Sequence, residues 1–276
     1  KSGTTRCQNL VARILTRSRG DEPAPPESWS HVSEVSPFFE IDPHWDHENE
    51  PSELAANVVE NHRRFVRGRR VFNTHLPLAL MPRVVDDEDD KNKNRKLPKV
   101  VYVARDGRDC AVSFWHHLKS QSVEDGGWSE GWDTFFESWI EGTIAFGSWF
   151  DHLNGWRDAS ADANVLVLKY EDMLHNLPGT IRAVAEHVDR DRPLTTDELD
   201  AIERACTFEA MKGDIDKYQP KSVRWIDDSF SFVRRGVSGS YEKVFSENQK
   251  RRFEEKAREK FGGGGLANAP MWRTNA

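Results

Sequence analysis

Two nearly unbroken apolar runs, KVVYVA at residues 99–104 and NVLVLKY at 164–170, constrain the fold more than any other feature of this chain. A strand with one wet face alternates apolar and polar residues, whereas an unalternating run is covered on both faces. Such strands belong to a parallel sheet with helices packed above and below it. Helical patterns follow both runs, over 107–119 and then over 177–188 and 195–205. RVFNTH (70–75) reads as a third strand, ending ahead of Pro77. Leu10, Val11, Ile14 and Leu15 recur at helical spacing, with Gly20 as the stop. A second amphipathic helix covers 52–67, with Ser52 as N-cap and Gly68 as stop. A long helical pattern interrupted by glycines covers 132–157, and a charged surface helix covers 246–261 ahead of GGGG. Residues 21–51 read as a surface segment with SPFFEI as an apolar anchor, and DDEDDKNKNRK (86–96) as a surface loop. The order predicts one domain over residues 1–276, a three-layer α/β sandwich around a central, largely parallel sheet.

The function classes narrow from composition. A net charge of −7 gives no bulk support to a nucleic-acid partner, so an anionic ligand needs a local cluster of donors. Three scattered cysteines, Cys7, Cys110 and Cys206, with no CxxC fit a reducing compartment rather than a disulfide framework. No apolar run approaches the roughly 18 residues a membrane span needs, so a cytoplasmic protein without a membrane partner is expected. The sequence starts at Lys1 inside a motif, and we read it as lacking upstream residues.

That motif is KSGTT (1–5), which places Lys1, Ser2, Gly3, Thr4 and Thr5 directly before a helix. The start of a helix offers unpaired N–H groups and partial positive charge, which suit a phosphate. No Gly-Lys-Ser/Thr follows at Walker A spacing, so the loop is P-loop-like without being a Walker loop. Taken alone, it reads equally as a turn with an N-cap.

Four further segments follow in order: RVFNTHLPLALMP (70–82), KVVYVARDGRDCAVSFWHH (99–117), VLKYEDM (167–173) and FVRRGVSGSYEKVF (232–245). With KSGTT they resemble the cytosolic sulfotransferase family over most of residues 1–261. The resemblance implies the donor 3′-phosphoadenosine 5′-phosphosulfate, direct transfer to a hydroxyl or amine of a small acceptor, and no metal. It implies that Lys1, Ser2, Gly3, Thr4 and Thr5 hold the 5′-phosphosulfate. Arg105 and Ser113 grip the 3′-phosphate, joined by Arg234, Arg235 and the backbone at Gly236. Tyr170, Thr207 and Phe208 surround the adenine. His75 is the catalytic base, with Lys1 meeting the charge that develops on the leaving oxygen. A histidine suits the first role because its pKa of about 6.5 lets it take a proton at neutral pH.

The chain departs from the family pattern in places. Asn73 stands where relatives carry lysine, on the same strand face as His75, so it points toward the reaction centre without charge. Arg6 replaces the tryptophan that stacks on adenine; a guanidinium can stack there or point to solvent. The strand that feeds the loop in relatives is missing from this sequence. The family's dimer motif is not evident around 242–251, so a monomer or a dimer of another kind is expected. Phe38, Phe39, Trp45, Trp115 and Trp225 are candidates for an acceptor pocket, while His116 and His117 carry no assignable role. HWDHE (44–48) offers too few separated ligands for a metal site. The alternative reading is a nucleotide-binding pseudoenzyme that holds the donor without efficient transfer; a P-loop kinase is disfavoured by the absent Gly-Lys-Ser/Thr.

Overall fold

The structure, a computed structural model, describes residues 2–17, 29–40, 53–85, 95–220, 223–226, 232–233 and 236–265. Its centre is a parallel pair, β3 (Val100–Ala104) with β4 (Val165–Lys169), in register from Val100 opposite Val165 to Ala104 opposite Lys169. A small antiparallel pair, β1 (Val84–Val85) with β2 (Arg95–Lys96), forms a separate sheet, so residues 95–96 of the expected surface loop are a strand and the rest of it lies outside the described residues.

Period-2 alternation places the central strands between two cores. Val100, Tyr102, Ala104, Val165 and Val167 pack into one core, and Val101, Val103, Leu166 and Leu168 into the other. The first core is closed by α3 (Gly107–Lys119), α4 (Trp132–Glu141), α5 (Trp149–Ala159) and α10 (Glu247–Phe261). The second is closed by α1 (Thr4–Thr16), α2 (Glu53–Val66), α7 (Leu177–Val188) and α8 (Thr196–Ala205). Short helices α6 (Tyr170–His175) and α9 (Phe208–Gly213) complete the chain order. The three layers foreseen from the apolar runs are therefore present, around a small sheet.

Local chemistry sets the helix limits. Capping boxes start α8 at Thr195 with Glu198 and α10 at Ser246 with Gln249. Gly142, left-handed at φ 73°, ends α4, which is why the glycine-interrupted pattern over 132–157 becomes two helices. The charged α10 still buries Phe253, Ala257 and Phe261 on one face.

RVFNTH is a correction: residues 70–75 form an extended segment and not a strand. Its one bridge is parallel, Phe38 to Asn73, closed by Phe39 N–H to the Asn73 carbonyl (2.8 Å) and Asn73 N–H to the Pro37 carbonyl (2.9 Å). A strand needs a ladder along at least one edge, and Pro37 has no N–H with which to extend this one. The rest of the segment lines a cavity opposite β3.

Candidate active site

Gly3 is the N-cap of α1 in the left-handed region, at φ 89°, and no side chain caps the helix. Six other helices, α3, α5, α7, α8, α9 and α10, have side-chain caps. The first turn of α1 contains no acidic residue and carries Thr4, Thr5 and Arg6. Backbone donors, two hydroxyls and the positive end of the helix dipole form a donor set that fits a phosphosulfate. Gly3 is required for a further reason: a Cβ there would lie 2.5 Å from the Tyr170 ring.

Tyr170 is buried, and Arg105 lies over its ring at 4.2 Å. The ring therefore packs against both Gly3 and the Arg105 guanidinium, which donates to the Val237 carbonyl at 3.0 Å. The plain alternative for Arg105, an ion pair with Asp106 or Asp109, does not account for those carboxylates. Asp106 caps α3 and pairs with Arg108 at 2.6 Å. Asp109, fully buried, accepts from Gly239 N–H (2.7 Å), Tyr241 N–H (3.2 Å), Ser240 Oγ (2.9 Å) and Ser238 Oγ (3.2 Å). One carboxylate on α3 therefore anchors the loop after Gly236. Gly236 itself is left-handed at φ 61°, and a Cβ there would meet Phe208 at 2.4 Å. Thr207 caps α9 through its hydroxyl, and Phe208 is the first residue of that helix. Ser113 sits half-buried in α3.

Arg6 is half-buried rather than pointing into solvent. Its Nε donates to the Cys206 carbonyl at 3.0 Å, at the C-terminal end of α8, where a cation complements the helix dipole. Burial lowers its pKa from the ordinary arginine value, opposed by Tyr170, Cys206 and Glu209.

His75 stands at the end of the extended segment. Its ring faces Phe146 (centroids 4.9 Å) and Phe38 (5.3 Å). Its N–H donates to Glu40 Oε1 at 2.5 Å, and its carbonyl accepts from His152 Nε2 at 3.2 Å. Burial raises the Glu40 carboxyl above the usual carboxylate range, partly offset by the donors at His75 and Thr74. Two residues away, Asn73 Oδ1 is buried without a hydrogen-bond partner.

A cavity of about 1690 Å³ joins these parts: Ser2 and Thr4 of the loop, Asn73 and His75, and Arg105 at the end of β3 all line it, together with His152. Ser113, Tyr170, Thr207, Phe208 and Gly236 lie off its lining. Lys1, Arg234 and Arg235 lie outside the described residues, as do Trp45 and the HWDHE segment. Of the aromatic candidates, Phe38 meets His75. Phe39 packs on Phe72, Trp115 on Trp132, and Trp225 on His117. Sequence reasoning missed Glu40, Asp109, Phe146 and His152. For Asp109 a signal existed, an acidic residue in the first turn after KVVYVARD, but its partners are 129–132 residues away. No helix among the described residues is long and apolar enough to cross a membrane.

The chain matches the Sulfotransferase domain family over residues 1–265. It is 31% identical to human sulfotransferase 2A1 over 266 residues, which are 94% of this chain and 81% of that protein. Rat sulfotransferase 1C2 is 32% identical over 272 residues, 96% of this chain and 82% of that protein. Dog sulfotransferase 1A1 is 35% identical over 200 residues, 72% of this chain and 64% of that protein. Among solved structures, mouse sulfotransferase SULT7A1 complexed with PAP has a TM-score of 0.66 at 22% identity, covering 98% of this chain and 84% of that one. Retinol dehydratase in complex with androsterone and inactive cofactor PAP has a TM-score of 0.65 at 22% identity, covering 95% of this chain and 78% of that one. At that identity the solved structures speak for the fold, and the sequence matches for the lineage. The chain belongs to the sulfotransferase family.

Proposed function

We propose that this protein transfers a sulfuryl group from 3′-phosphoadenosine 5′-phosphosulfate to a hydroxyl of a small acceptor, with His75 as general base. The observation that carries the reading is a cavity lined by Ser2, Thr4, Asn73, His75 and Arg105, which joins a helix start without a side-chain cap to a histidine with aromatic neighbours. The bound donor supplies an activated sulfuryl group and a phosphate leaving group. The N–H groups and hydroxyls at the start of α1 hold the phosphosulfate end, and the family resemblance gives Lys1 the charge that develops on the leaving oxygen. Arg105, Ser113, Arg234 and Arg235 take the 3′-phosphate, and the buried Asp109 keeps the loop after Gly236 in place. His75 removes the acceptor's proton as its oxygen attacks, a contribution of roughly 10²–10⁴ in rate. Phe38 and Phe146 flank the imidazole and favour an apolar or aromatic acceptor body.

The test is transfer of labelled sulfuryl to a phenol or an alcohol. Wild-type protein turns over. His75→Ala loses at least about 100-fold in turnover while still binding 3′-phosphoadenosine 5′-phosphate. Binding without transfer in the wild type establishes the pseudoenzyme reading instead, and His75→Ala with full activity removes His75 as base.

A further inference from the structure

The backbone that carries His75 is held in an unusual way. The bridge to residues 37–39 reaches only Asn73; beyond it, side chains take the place of a ladder. Ahead of the imidazole, Glu40 Oε1 accepts from the His75 N–H (2.5 Å) and from Thr74 Oγ1 (2.9 Å), and Leu76 N–H donates to Thr74 Oγ1 (3.0 Å). Behind it, α5 supplies two donors one helical turn apart. His152 Nε2 reaches the His75 carbonyl at 3.2 Å, and Trp156 Nε1 reaches the Leu76 carbonyl at 3.4 Å.

The chemistry of this contact assigns the His152 tautomer. A carbonyl only accepts, so Nε2 carries the hydrogen, and in the neutral ring Nδ1 is an acceptor. Tyr102 Oη lies 3.1 Å from Nδ1 and donates to it. The Tyr102 ring stacks on His152 (5.7 Å, 23°) and on Trp156 (5.1 Å, 18°), so β3 fixes both α5 donors. Burial holds His152 below the ordinary histidine range, which agrees with a neutral ring. His152 faces the same cavity as His75 but spends both nitrogens on structure.

We infer that Glu40 and His152 are positioning residues for the transfer reaction: they grip the two peptide groups flanking His75 and so set where its imidazole stands. The inference rests on His75 being the base. Misplacing a catalytic group by about 1 Å costs on the order of 10²-fold, so loss of one grip appears in turnover before it appears in binding or folding.

The experiment compares turnover, acceptor KM, binding of 3′-phosphoadenosine 5′-phosphate and melting temperature in five variants. His152→Phe keeps the aromatic stack and removes the donor; His152→Gln places an amide N–H near the lost Nε2. Glu40→Gln keeps an acceptor for the His75 N–H, and Glu40→Leu removes it. His75→Ala reports on the base itself. Expected are a turnover loss of about tenfold or more in His152→Phe and Glu40→Leu, with nucleotide binding and acceptor KM within about twofold of wild type. His152→Gln and Glu40→Gln recover most of the loss. If His75→Ala is inactive but His152→Phe and Glu40→Leu turn over like wild type, the positioning inference is overturned while the base stands. If His75→Ala stays active, the base reading fails first. Losses in melting temperature and nucleotide binding that parallel turnover, without rescue by glutamine, reduce both residues to general fold stability and also overturn the inference.

Discussion

Gly3 stands between a lysine-serine pair and a helix, and its positive φ and contact with Tyr170 leave room for nothing larger. Gly3→Ala is expected to cost about 1–3 kcal/mol from backbone strain alone, with donor binding weakened in the same variant; urea unfolding and nucleotide titration check both. His75 was legible because it sits in RVFNTHLP. Glu40 and His152 were not, since their relation to it spans 35 and 77 residues and only the fold creates it. Among the described residues, Asn73 leaves a buried Oδ1 without a hydrogen-bond partner, at the position where the family resemblance implies a lysine. Asn73→Lys is therefore expected to raise turnover several-fold in a transfer assay, and an unchanged or lower rate shows that the amide is not what limits the chemistry.

Elements were legible in proportion to how far their own residues determine them. The longer helices follow from apolar period, caps and glycine stops, whereas the short α6 and α9 were not foreseen and the one pattern over 132–157 is two helices. RVFNTH shows the opposite case. Its β-branched and aromatic residues suit an extended chain, yet whether such a chain becomes a strand depends on a neighbour to pair with, which no local pattern records. Among the described residues, β3 has a neighbour on one side. Val100 N–H bonds to the Asn164 carbonyl at 2.7 Å, so by period 2 the N–H groups of Tyr102 and Ala104 face β4, while those of Val101 and Val103 face away. Residue-resolved hydrogen exchange is expected to find Val101 and Val103 about tenfold or more faster than Tyr102 and Ala104; equal protection contradicts that edge assignment. Asp109 ties α3 to the loop over 238–241 through four donors. Asp109→Asn sets an amide against N–H groups it cannot accept equally, and a loss of about 1–3 kcal/mol with weaker nucleotide binding is expected from denaturation and titration.

At the scale of the molecule, two helical layers enclose a short parallel pair, and the cavity beside that pair collects the groups the sequence had scattered over residues 2–152. The apolar runs made the layers legible. The cavity was not legible, because its walls are backbone edges and side chains from segments far apart in the chain. The central proposal is that the protein recognises a nucleotide by its 3′-phosphate, with Arg105 on the cavity wall. The direct measurement is a thermal-shift titration of the whole chain with 3′-phosphoadenosine 5′-phosphate, against AMP, ADP and ATP. At 100 times its dissociation constant a ligand stabilises the fold by about 2.7 kcal/mol, and that shift is expected for the 3′-phosphorylated nucleotide alone. Equal shifts with all four nucleotides, or none with any in a folded sample, would contradict it.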